Sequence, residues 1–155
     1  MEQIKLNLGC GDKHIEGYEN IDIDPACSPD LILDVSTGLP YDDNSVDMVR
    51  AFDFLEHIKL GKTIFVINEI YRVLKKDGFF ESFTPDAEHG QGAFQDPTHV
   101  SFWCENSWIY YSNPDAWKQY RINANFEIQS INRVNTHSAL RIFHLHVVAR
   151  AAKHE

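Results

Sequence analysis

Two glycines, Gly9 and Gly11, directly follow the short apolar segment Leu6–Leu8, and a carboxylate, Asp22, follows them a little further along the chain. The alternation within the apolar segment is typical of a short buried strand. Glycines after such a strand let the backbone turn sharply and approach a ligand closely. An acid at the end of the next strand accepts hydrogen bonds from ribose hydroxyls in doubly wound α/β folds. The pattern therefore predicts a site for a cofactor that carries a nucleoside.

The spacing of these residues also indicates which nucleoside cofactor is bound. A dinucleotide site needs a third glycine, a helix whose N-terminus faces the pyrophosphate, and an acid about 20 residues further on. Only residues 12–21 separate Gly11 from Asp22, which is too short for a long helix and a strand. We therefore expect the first helix to be very short or absent. S-adenosyl-L-methionine, which has ribose and adenine but no phosphates, is favoured over NAD and FAD.

The chain resembles the class I S-adenosylmethionine-dependent methyltransferases, in particular the short members of the type 11 group. The motifs that carry the resemblance stand in the family's order within residues 1–85: Leu6–Gly11, Asn20–Asp24, Asp34-Val35, Leu39–Val49, Leu55–Ile58 and Glu69–Gly78. The resemblance implies a methyltransferase that uses S-adenosyl-L-methionine. It also implies that Asp34 lies near the adenine, commonly reaching its exocyclic amine, while the backbone of Val35 contacts the ring. Alternatively, Asp34 only caps the loop after a strand.

The predicted cofactor residues lie in the glycine loop and at the ends of neighbouring strands. Val46–Phe52 is predicted to be a strand, and open α/β sheets bind ligands at the carboxyl ends of their strands. Residues 52–54 are therefore expected beside the cofactor. The full predicted cofactor-binding set is Leu8, Gly9, Cys10, Gly11, Asp22, Ile23, Asp34, Val35, Phe52, Asp53 and Phe54.

The candidate catalytic residues follow the fifth predicted strand, where the resemblance places the substrate loop. We expect His99 to be the general base, because a neutral imidazole titrates near the working pH. Asp86 is the second candidate, and Asp96 and His89 lie in the same segment. A hydroxyl acceptor needs such a base, whereas a neutral amine can lose its proton after the transfer. The Asp-x-x-His spacing with His89 nearby is an alternative metal pattern, but without a second carboxylate or a cysteine we predict no metal site.

Other histidines remain open to two interpretations. His57 lies in the short segment Leu55–Ile58, where a structural hydrogen bond and a catalytic role are equally compatible with the sequence. His144 and His146 are two residues apart on a predicted strand and so share one face. They form a possible metal pair, although a structural or surface role is favoured because no third ligand is in view.

The order of the apolar segments predicts an α/β fold. We expect a single Rossmann-like doubly wound sheet, mostly parallel, of about seven strands with a C-terminal antiparallel hairpin. A packing helix over Lys62–Lys76 is expected to end at Gly78 in the left-handed conformation. The predicted strands are Leu6–Leu8, Glu19–Ile23, Leu31–Leu33, Val46–Phe52, Phe79–Thr84, Asn125–Ile131 and Leu140–Val148.

Residues 86–119 are rich in Gly, His, Trp and Tyr. A long connection of this kind within a compact domain is more often functional than passive. We therefore predict one domain over residues 1–155, with a substrate loop or lid over about residues 85–120, and a short helix over Glu105–Tyr111. The aromatic residues Trp103, Trp108 and Tyr111 either wall a substrate pocket or form the core beneath the loop.

The composition sets limits on partners and compartment. The net charge of −9 argues against general binding of nucleic acid, although residues 116–155 carry 6 Lys and Arg against 2 Asp and Glu and leave a modest basic face possible. Because the first strand follows Met1–Lys5 directly and no apolar run has membrane-spanning length, we expect a cytoplasmic protein without a signal peptide or membrane span. Three widely spaced cysteines indicate neither disulfides nor a zinc site.

The acceptor of the methyl group is the least determined part of the prediction. The acidic surface and the short capping region favour a small polar molecule, a sugar or metabolite methylated on oxygen or nitrogen. A non-catalytic S-adenosylmethionine-binding or regulatory protein is the alternative. An RNA or protein methyltransferase is less favoured, as is a nucleotide-dependent oxidoreductase, since the phosphate platform is missing. Nothing in the sequence indicates the oligomeric state.

Overall fold

The computed structural model describes residues 3–153, so the two ends of the predicted domain, residues 1–2 and 154–155, lie outside the described residues. The strands are β1 Lys5–Leu8, β2 Glu19–Asp22, β3 Leu31–Ile32, β4 Val46–Phe52, β5 Leu74–Gly90, β6 Phe126–His137 and β7 Ile142–Ala151. The α-helices are α1 Thr63–Val73, α2 Gly92–Gln95 and α3 Ile109–Ser112. Short 3₁₀ helices cover Pro25–Cys27, Val35–Thr37, Leu55–His57, Glu105–Trp108 and Pro114–Tyr120.

The strands form one seven-stranded sheet in the order β3-β2-β1-β4-β5-β7-β6. Strands β1 to β5 pair in parallel, whereas β7 pairs antiparallel with both β5 and β6. This arrangement confirms the predicted mostly parallel sheet with its C-terminal antiparallel hairpin. The strand order reverses between β1 and β4, and ligands of open α/β sheets bind at such a switch point. Residues 9–18, between β1 and β2, contain turns and no helix, as the spacing predicts.

The core is built by alternating strand residues and by one face of α1. Leu6 and Leu8 of β1 are fully buried. The apolar side of α1 buries Val66, Ile67, Ile70 and Val73. This face repeats at the helical spacing that the sequence shows, so it covers the sheet and holds the strand ends in place.

The end of α1 differs from the prediction. The helix stops at Val73 rather than Lys76, and Asp77, not Gly78, adopts the left-handed conformation with φ of 62°. A Cβ atom at Gly78 would lie 3.0 Å from the carbonyl oxygen of Lys75 and 3.1 Å from that of Asp47. The glycine is therefore needed for close backbone approach rather than for positive φ. Lys75 pairs with Asp47 at 2.8 Å instead of complementing the helix end.

Strand β5 is much longer than the predicted Phe79–Thr84. Pro85 does not end the strand, because the pairing with β7 continues to His144 and, after an irregularity, from Gly90 to Ile142. At Gly90 a Cβ atom would lie 1.9 Å from the carbonyl oxygen of Arg141, so only glycine allows the two strands to approach there. The long antiparallel pair carries β7 residues to the carboxyl edge of the parallel strands.

The segment predicted as a lid divides into two parts. Trp103, Trp108 and Tyr111 are buried, and Trp108 packs against Phe80 of β5 at a ring distance of 5.9 Å. Their burial supports the core interpretation most clearly for Trp108, whereas Trp103 and Tyr111 also line a separate cavity of about 370 Å³. The part around α2 and residues 96–99 instead lies beside the carboxyl edge of the sheet, where it lines a cavity described below. Within residues 3–153, no helix is long and apolar enough to cross a membrane.

Candidate active site

A cavity of about 390 Å³ lies at the carboxyl ends of β1, β2 and β4, at the switch point of the sheet. Several predicted cofactor residues line it: Gly9, Gly11, Asp22, Ile23, Asp34, Val35, Asp53 and Phe54. Three others do not. Leu8 and Cys10 are buried beneath the loop, and Phe52 stacks on Phe83 at 5.2 Å. The sequence did not single out the other lining residues: Ile21, Leu33, Ser36, Ile58 and Lys59, with His57 left open.

The glycine loop has the backbone conformation that its residues allow. Gly9 has φ of 64°, and a Cβ atom there would lie 2.3 Å from the Phe54 ring. Gly11 has φ of 48°, but no atom lies within 4 Å of the position of a Cβ atom. The first glycine is therefore required by packing against Phe54. The second is required by its backbone conformation, and the space around its Cβ position is open.

Asp22 holds the loop from the end of β2. Its Oδ2 accepts a hydrogen bond from the Gly11 N–H at 2.8 Å, and its Oδ1 accepts one from the Asp24 N–H at 2.9 Å. A carboxylate has lone pairs beyond these two bonds. The side chain can therefore position the glycine loop and still accept hydrogen bonds from a ligand in the cavity.

Asp34 caps the loop after β3, as one interpretation of the sequence has it, and also lines the cavity. Its Oδ1 accepts a hydrogen bond from the Ser36 N–H at 2.9 Å and so caps the 3₁₀ helix Val35–Thr37. The side chain and backbone of Ser36 lower the pKa of Asp34 below its usual value. The same residue lines the cavity. Capping therefore fixes a charged carboxylate at the cavity wall.

The residues around this cavity fit S-adenosyl-L-methionine better than a dinucleotide. Three carboxylates, Asp22, Asp34 and Asp53, line the cavity against one cationic side chain, Lys59. Such a wall repels phosphates, whereas it accepts ribose hydroxyls and an amino group. Apolar side chains from Ile23 and Val35 provide surfaces for an adenine ring. The open space at Gly11 leaves room for the rest of the cofactor.

A second cavity of about 240 Å³ adjoins the first, and Asp53 and His57 line both. The remaining lining residues are Glu56, Pro85, Gly92, Gln95, Asp96, His99, Ile142 and His144. They come from the end of β4, from β5, from the segment around α2, and from β7. The long β5–β7 pairing therefore builds the far wall of this cavity.

His99, the predicted general base, lies in the second cavity with a side chain only 8% exposed. Its Nδ1 is 3.0 Å from the carbonyl oxygen of Ala93. Because a carbonyl can only accept a hydrogen bond, Nδ1 carries a proton, and in the neutral imidazole the free lone pair is on Nε2. Nε2 lies 3.6 Å from Oδ2 of Asp96.

His57 is held in the same tautomer by a different partner. The hydroxyl of Thr98 donates to Oδ1 of Asp96 at 2.7 Å, so its oxygen accepts from Nδ1 of His57 at 3.3 Å. In the neutral imidazole the free lone pair is then on Nε2 of His57. The rings of His57 and His99 meet edge to face at 4.9 Å. The hydrogen bond predicted as one role of His57 is therefore present, and the residue also lines both cavities.

Glu56 was not singled out from the sequence. It is 2% exposed, and neither carboxylate oxygen has a hydrogen-bond partner among the described residues. Burial raises the pKa of Glu56 to about 8, and the charges of Asp53 and Asp96 contribute to the rise. The only sequence signal is an acid within the otherwise apolar segment Leu55–Ile58. A buried acid without a partner marks a functional position more often than a structural one.

Asp53 and His144 form a polar pair at the junction of the cavities. Nε2 of His144 lies 3.1 Å from Oδ1 of Asp53, and the imidazole stacks on Phe83 at 4.6 Å. Burial raises the pKa of Asp53, but the hydrogen bond and charge of His144, together with Lys13, outweigh burial and lower it overall. His146 pairs separately with Glu81 at 2.7 Å. The two histidines therefore have different partners rather than a shared one.

Asp86, the second predicted catalytic residue, lines neither cavity. It is fully buried, and its Oδ2 accepts a hydrogen bond from Nε of Arg133 at 2.6 Å. Burial raises its pKa, but Arg133 and the Glu88 N–H lower it overall. A carboxylate already paired with arginine is a poor base. Its position does not support a catalytic role and instead makes Asp86 part of a buried ion pair.

Replacing Arg133 with methionine is expected to lower the free energy of unfolding by about 3 kcal/mol at neutral pH, because Asp86 loses its closest partner. A carboxylate with a lowered folded pKa stabilises the fold above its unfolded pKa, and this contribution is lost as pH falls through the folded pKa. The difference between wild type and Arg133→Met should therefore shrink on acidification. Urea unfolding at several pH values measures it.

Glu105 provides the control for this variant, because it accepts from the same guanidinium at 3.0 Å but is exposed. Glu105→Gln should cost less than about 1 kcal/mol. Equal losses for Arg133→Met and Glu105→Gln would contradict the stabilising role of the buried pair.

Residues 20–81 match the methyltransferase domain family, type 11. Among solved structures, the chain is similar to an S-adenosylmethionine-dependent methyltransferase from Methanosarcina mazei, with 19% identity, a TM-score of 0.66, and coverage of 99% of this chain and 95% of that one. It is also similar to an S-adenosylmethionine-dependent methyltransferase from Archaeoglobus fulgidus, with 13% identity, a TM-score of 0.69, and coverage of 96% of this chain and 86% of that one. A third similar structure is the [4+2]-cyclase SpnF, with 15% identity, a TM-score of 0.68, and coverage of 98% of this chain and 76% of that one. At these identities the likeness shows the fold. No curated protein sequence matches the chain.

The matched residues, the strand order and the cavity at the switch point agree with an S-adenosylmethionine-dependent methyltransferase. The match over residues 20–81 agrees with the type 11 resemblance of the motifs and supports S-adenosyl-L-methionine as the cofactor.

Proposed function

We propose that the protein methylates a small polar molecule, a sugar or metabolite, on oxygen or nitrogen. The observation that carries this proposal is the pair of adjoining cavities with a common wall at Asp53 and His57. The first cavity has the glycine loop and ribose-binding carboxylates of a cofactor site. The second cavity adjoins it, because Asp53 and His57 line both. An acceptor bound there faces the cofactor directly.

S-adenosyl-L-methionine supplies a methyl group on a sulfonium, which is already a good leaving group. The main task of the protein is therefore to hold the two reactants in line. Asp22 and Asp34 hold the nucleoside at one end of the first cavity, and the glycine loop gives the backbone room beside it. His99 is the side chain that we propose contacts the reacting atom of the acceptor.

The size and lining of the second cavity support a small acceptor. At about 240 Å³ it is smaller than the usual range for sites that hold drug-sized ligands. Its walls carry several polar side chains, among them Asp96, His99 and His144. Hydrogen-bonding groups in a narrow cavity select a compact polar molecule rather than an extended polymer. The net charge of −9 agrees with an acceptor other than nucleic acid.

Two measurements test the proposal in order. Calorimetry with S-adenosylhomocysteine should show binding, whereas NADH should not bind. Incubation with labelled S-adenosyl-L-methionine and a mixture of cell metabolites should then give a labelled small molecule. Labelled RNA or protein as the main product would contradict the proposed acceptor class. Binding without turnover on any extract would favour the non-catalytic alternative.

Replacing Asp22 with alanine should weaken binding of S-adenosylhomocysteine at least about tenfold. The variant removes the acceptor of the ribose hydroxyls and also the bond to the Gly11 N–H, and unpaired polar groups of this kind cost about 2 kcal/mol. Calorimetry on the purified protein measures the affinity.

Asp24→Ala is the matched control. Asp24 is exposed, caps the next 3₁₀ helix through the Ala26 N–H, and does not line the cavity. Its replacement should leave the affinity unchanged. If Asp24→Ala weakened binding of S-adenosylhomocysteine and Asp22→Ala did not, Asp24 rather than Asp22 would be the ribose-binding residue.

A further inference from the structure

Three potential metal ligands meet in the second cavity. One ligand atom from each of Glu56, His57 and His99 lies within 4.8 Å of the others. All three residues line the cavity. This spacing is somewhat wider than that of ligands around a bound ion, so the side chains need only draw together slightly. This group could not be recognised from the sequence, because Glu56 and His57 are far from His99 along the chain.

The carboxylate of Glu56 points to a ligand that the protein itself does not provide. The residue is 2% exposed, and both of its oxygens lack a hydrogen-bond partner among the described residues. A buried carboxylate without a partner is costly and is normally compensated by a cation or a hydrogen-bond donor. No lysine or arginine lines this cavity. The structure therefore places an uncompensated acid beside two imidazoles.

The two histidines are already oriented as metal ligands are. Nδ1 of His99 donates to the carbonyl oxygen of Ala93, and Nδ1 of His57 donates to the hydroxyl of Thr98. In the neutral imidazoles both Nε2 atoms therefore have the lone pair that binds a metal ion. Histidines that bind metal ions almost always donate their other nitrogen to such a partner, which fixes the tautomer and the ring orientation. The orientation of the two imidazoles does not depend on whether Glu56 is charged.

We propose that Glu56, His57 and His99 bind a divalent first-row transition-metal ion such as Zn²⁺. Two imidazoles and one carboxylate are suited to this class of ion, whereas Mg²⁺ and Ca²⁺ prefer oxygen ligands. Three protein ligands leave coordination positions open for water or another oxygen. The carboxylates of Asp53 and Asp96 in the same cavity add to its attraction for a cation.

A second group, Asp86, Glu88 and His89, has comparable spacing but does not form an equivalent site. Its buried member, Asp86, already pairs with the guanidinium of Arg133 at 2.6 Å and with His89 at 3.1 Å. A cation there would have to displace or tolerate the arginine. This group therefore serves as an internal control for the proposed site.

An ion held by these residues would lie in the second cavity, where we place the methyl acceptor. An acceptor hydroxyl bound to the ion would be oriented and made easier to deprotonate. This role rests on the proposed function, whereas binding of the ion does not. With the ion bound, His99 is a ligand rather than the free base expected from the sequence. Measurement of metal binding therefore also determines the role of His99.

Calorimetric titration of the metal-free full-length protein with Zn²⁺ tests the proposal. We expect one equivalent to bind with micromolar or tighter affinity, and Mg²⁺ not to bind under the same conditions. Titration with Co²⁺ should give the visible absorption bands of a low-coordinate site, and Zn²⁺ should remove them. Absence of stoichiometric Zn²⁺ binding would overturn the proposal. Failure to bind S-adenosylhomocysteine would instead contradict the proposed function and leave the metal site intact.

Substitution of the proposed ligands tests whether the ion binds in the second cavity. Glu56→Gln keeps the shape of the side chain, and His99→Asn can keep a donor near the Ala93 carbonyl, so both should fold. Each should weaken Zn²⁺ binding at least about 100-fold, as removal of a ligand costs more than loss of its hydrogen-bond partner. His89→Ala should bind Zn²⁺ as wild type does. If Glu56→Gln and His99→Asn bound Zn²⁺ normally, the ion would lie elsewhere, adventitiously, and the proposal would be wrong.

Discussion

Replacing Gly11 with valine is expected to abolish binding of S-adenosylhomocysteine, with a loss of more than about 100-fold, or about 2.7 kcal/mol. No atom lies within 4 Å of the Cβ position at Gly11, and the residue lines the first cavity. The valine side chain would therefore occupy space that the cofactor needs. Calorimetry on the folded variant measures the loss.

Backbone strain complicates this variant, because a β-branched residue at φ of 48° costs about 1–3 kcal/mol. Gly17→Val is the matched control. Gly17 also has positive φ, of 80°, and also has no atom within 4 Å of its Cβ position, but it lines neither cavity. Both variants should lose similar stability in thermal unfolding, and only Gly11→Val should lose the cofactor. Preserved binding in folded Gly11→Val would overturn the assignment of the glycine loop.

The sequence predicts the first cavity well because its signals are local. Gly9 and Gly11 follow a buried strand at once, and Asp22 ends the next one. In a parallel sheet, residues at successive strand ends meet at one edge whatever the details of packing. The mostly parallel sheet and its C-terminal antiparallel hairpin could therefore be predicted from alternation and turn residues, whereas the order of the strands was not. Leu8 and Cys10 show the limit of this reasoning, since neighbours of a ligand loop can point into the core.

The second cavity could not be predicted in the same way, because distant segments build it. His144 reaches Asp53 because β5 continues to Pro85 and pairs there with His144 of β7. Asp86 does not line the cavity and instead pairs with Arg133, a residue 47 positions away in sequence. Local composition carries no information about such contacts. The unpartnered carboxylate of Glu56 is visible only after the elements around it have packed.

The aromatic residues of the segment 86–119 show why burial cannot be judged from residue type. Trp103 and Trp108 are buried, whereas Phe102, directly before Trp103 in sequence, is 49% exposed. Large aromatic side chains suit both a core and a substrate pocket. The pairing of the segment with its surroundings, including a bridge between Asp86 and Trp103, decides which face turns inward.

Replacing His99 with asparagine is expected to slow methyl transfer by roughly 10²- to 10⁴-fold, the range for loss of a group that activates the acceptor. Asparagine removes Nε2, the atom that faces the second cavity, while its amide can still donate toward the Ala93 carbonyl in place of Nδ1. The acceptor is then left unactivated, whether Nε2 contacts it directly or holds the ion. Turnover with the acceptor found in the metabolite screen measures the effect.

The affinity for S-adenosylhomocysteine should hardly change in His99→Asn, because His99 lies outside the first cavity. This separates it from Asp22→Ala, which should affect binding of the cofactor. His89→Ala is the control within the same segment, since its side chain is 46% exposed and lines neither cavity, and it should keep full turnover. Loss of the fold in His99→Asn by circular dichroism would make His99 a structural residue. Full activity in a folded His99→Asn would show that the acceptor needs no activation there, which would favour an amine over a hydroxyl.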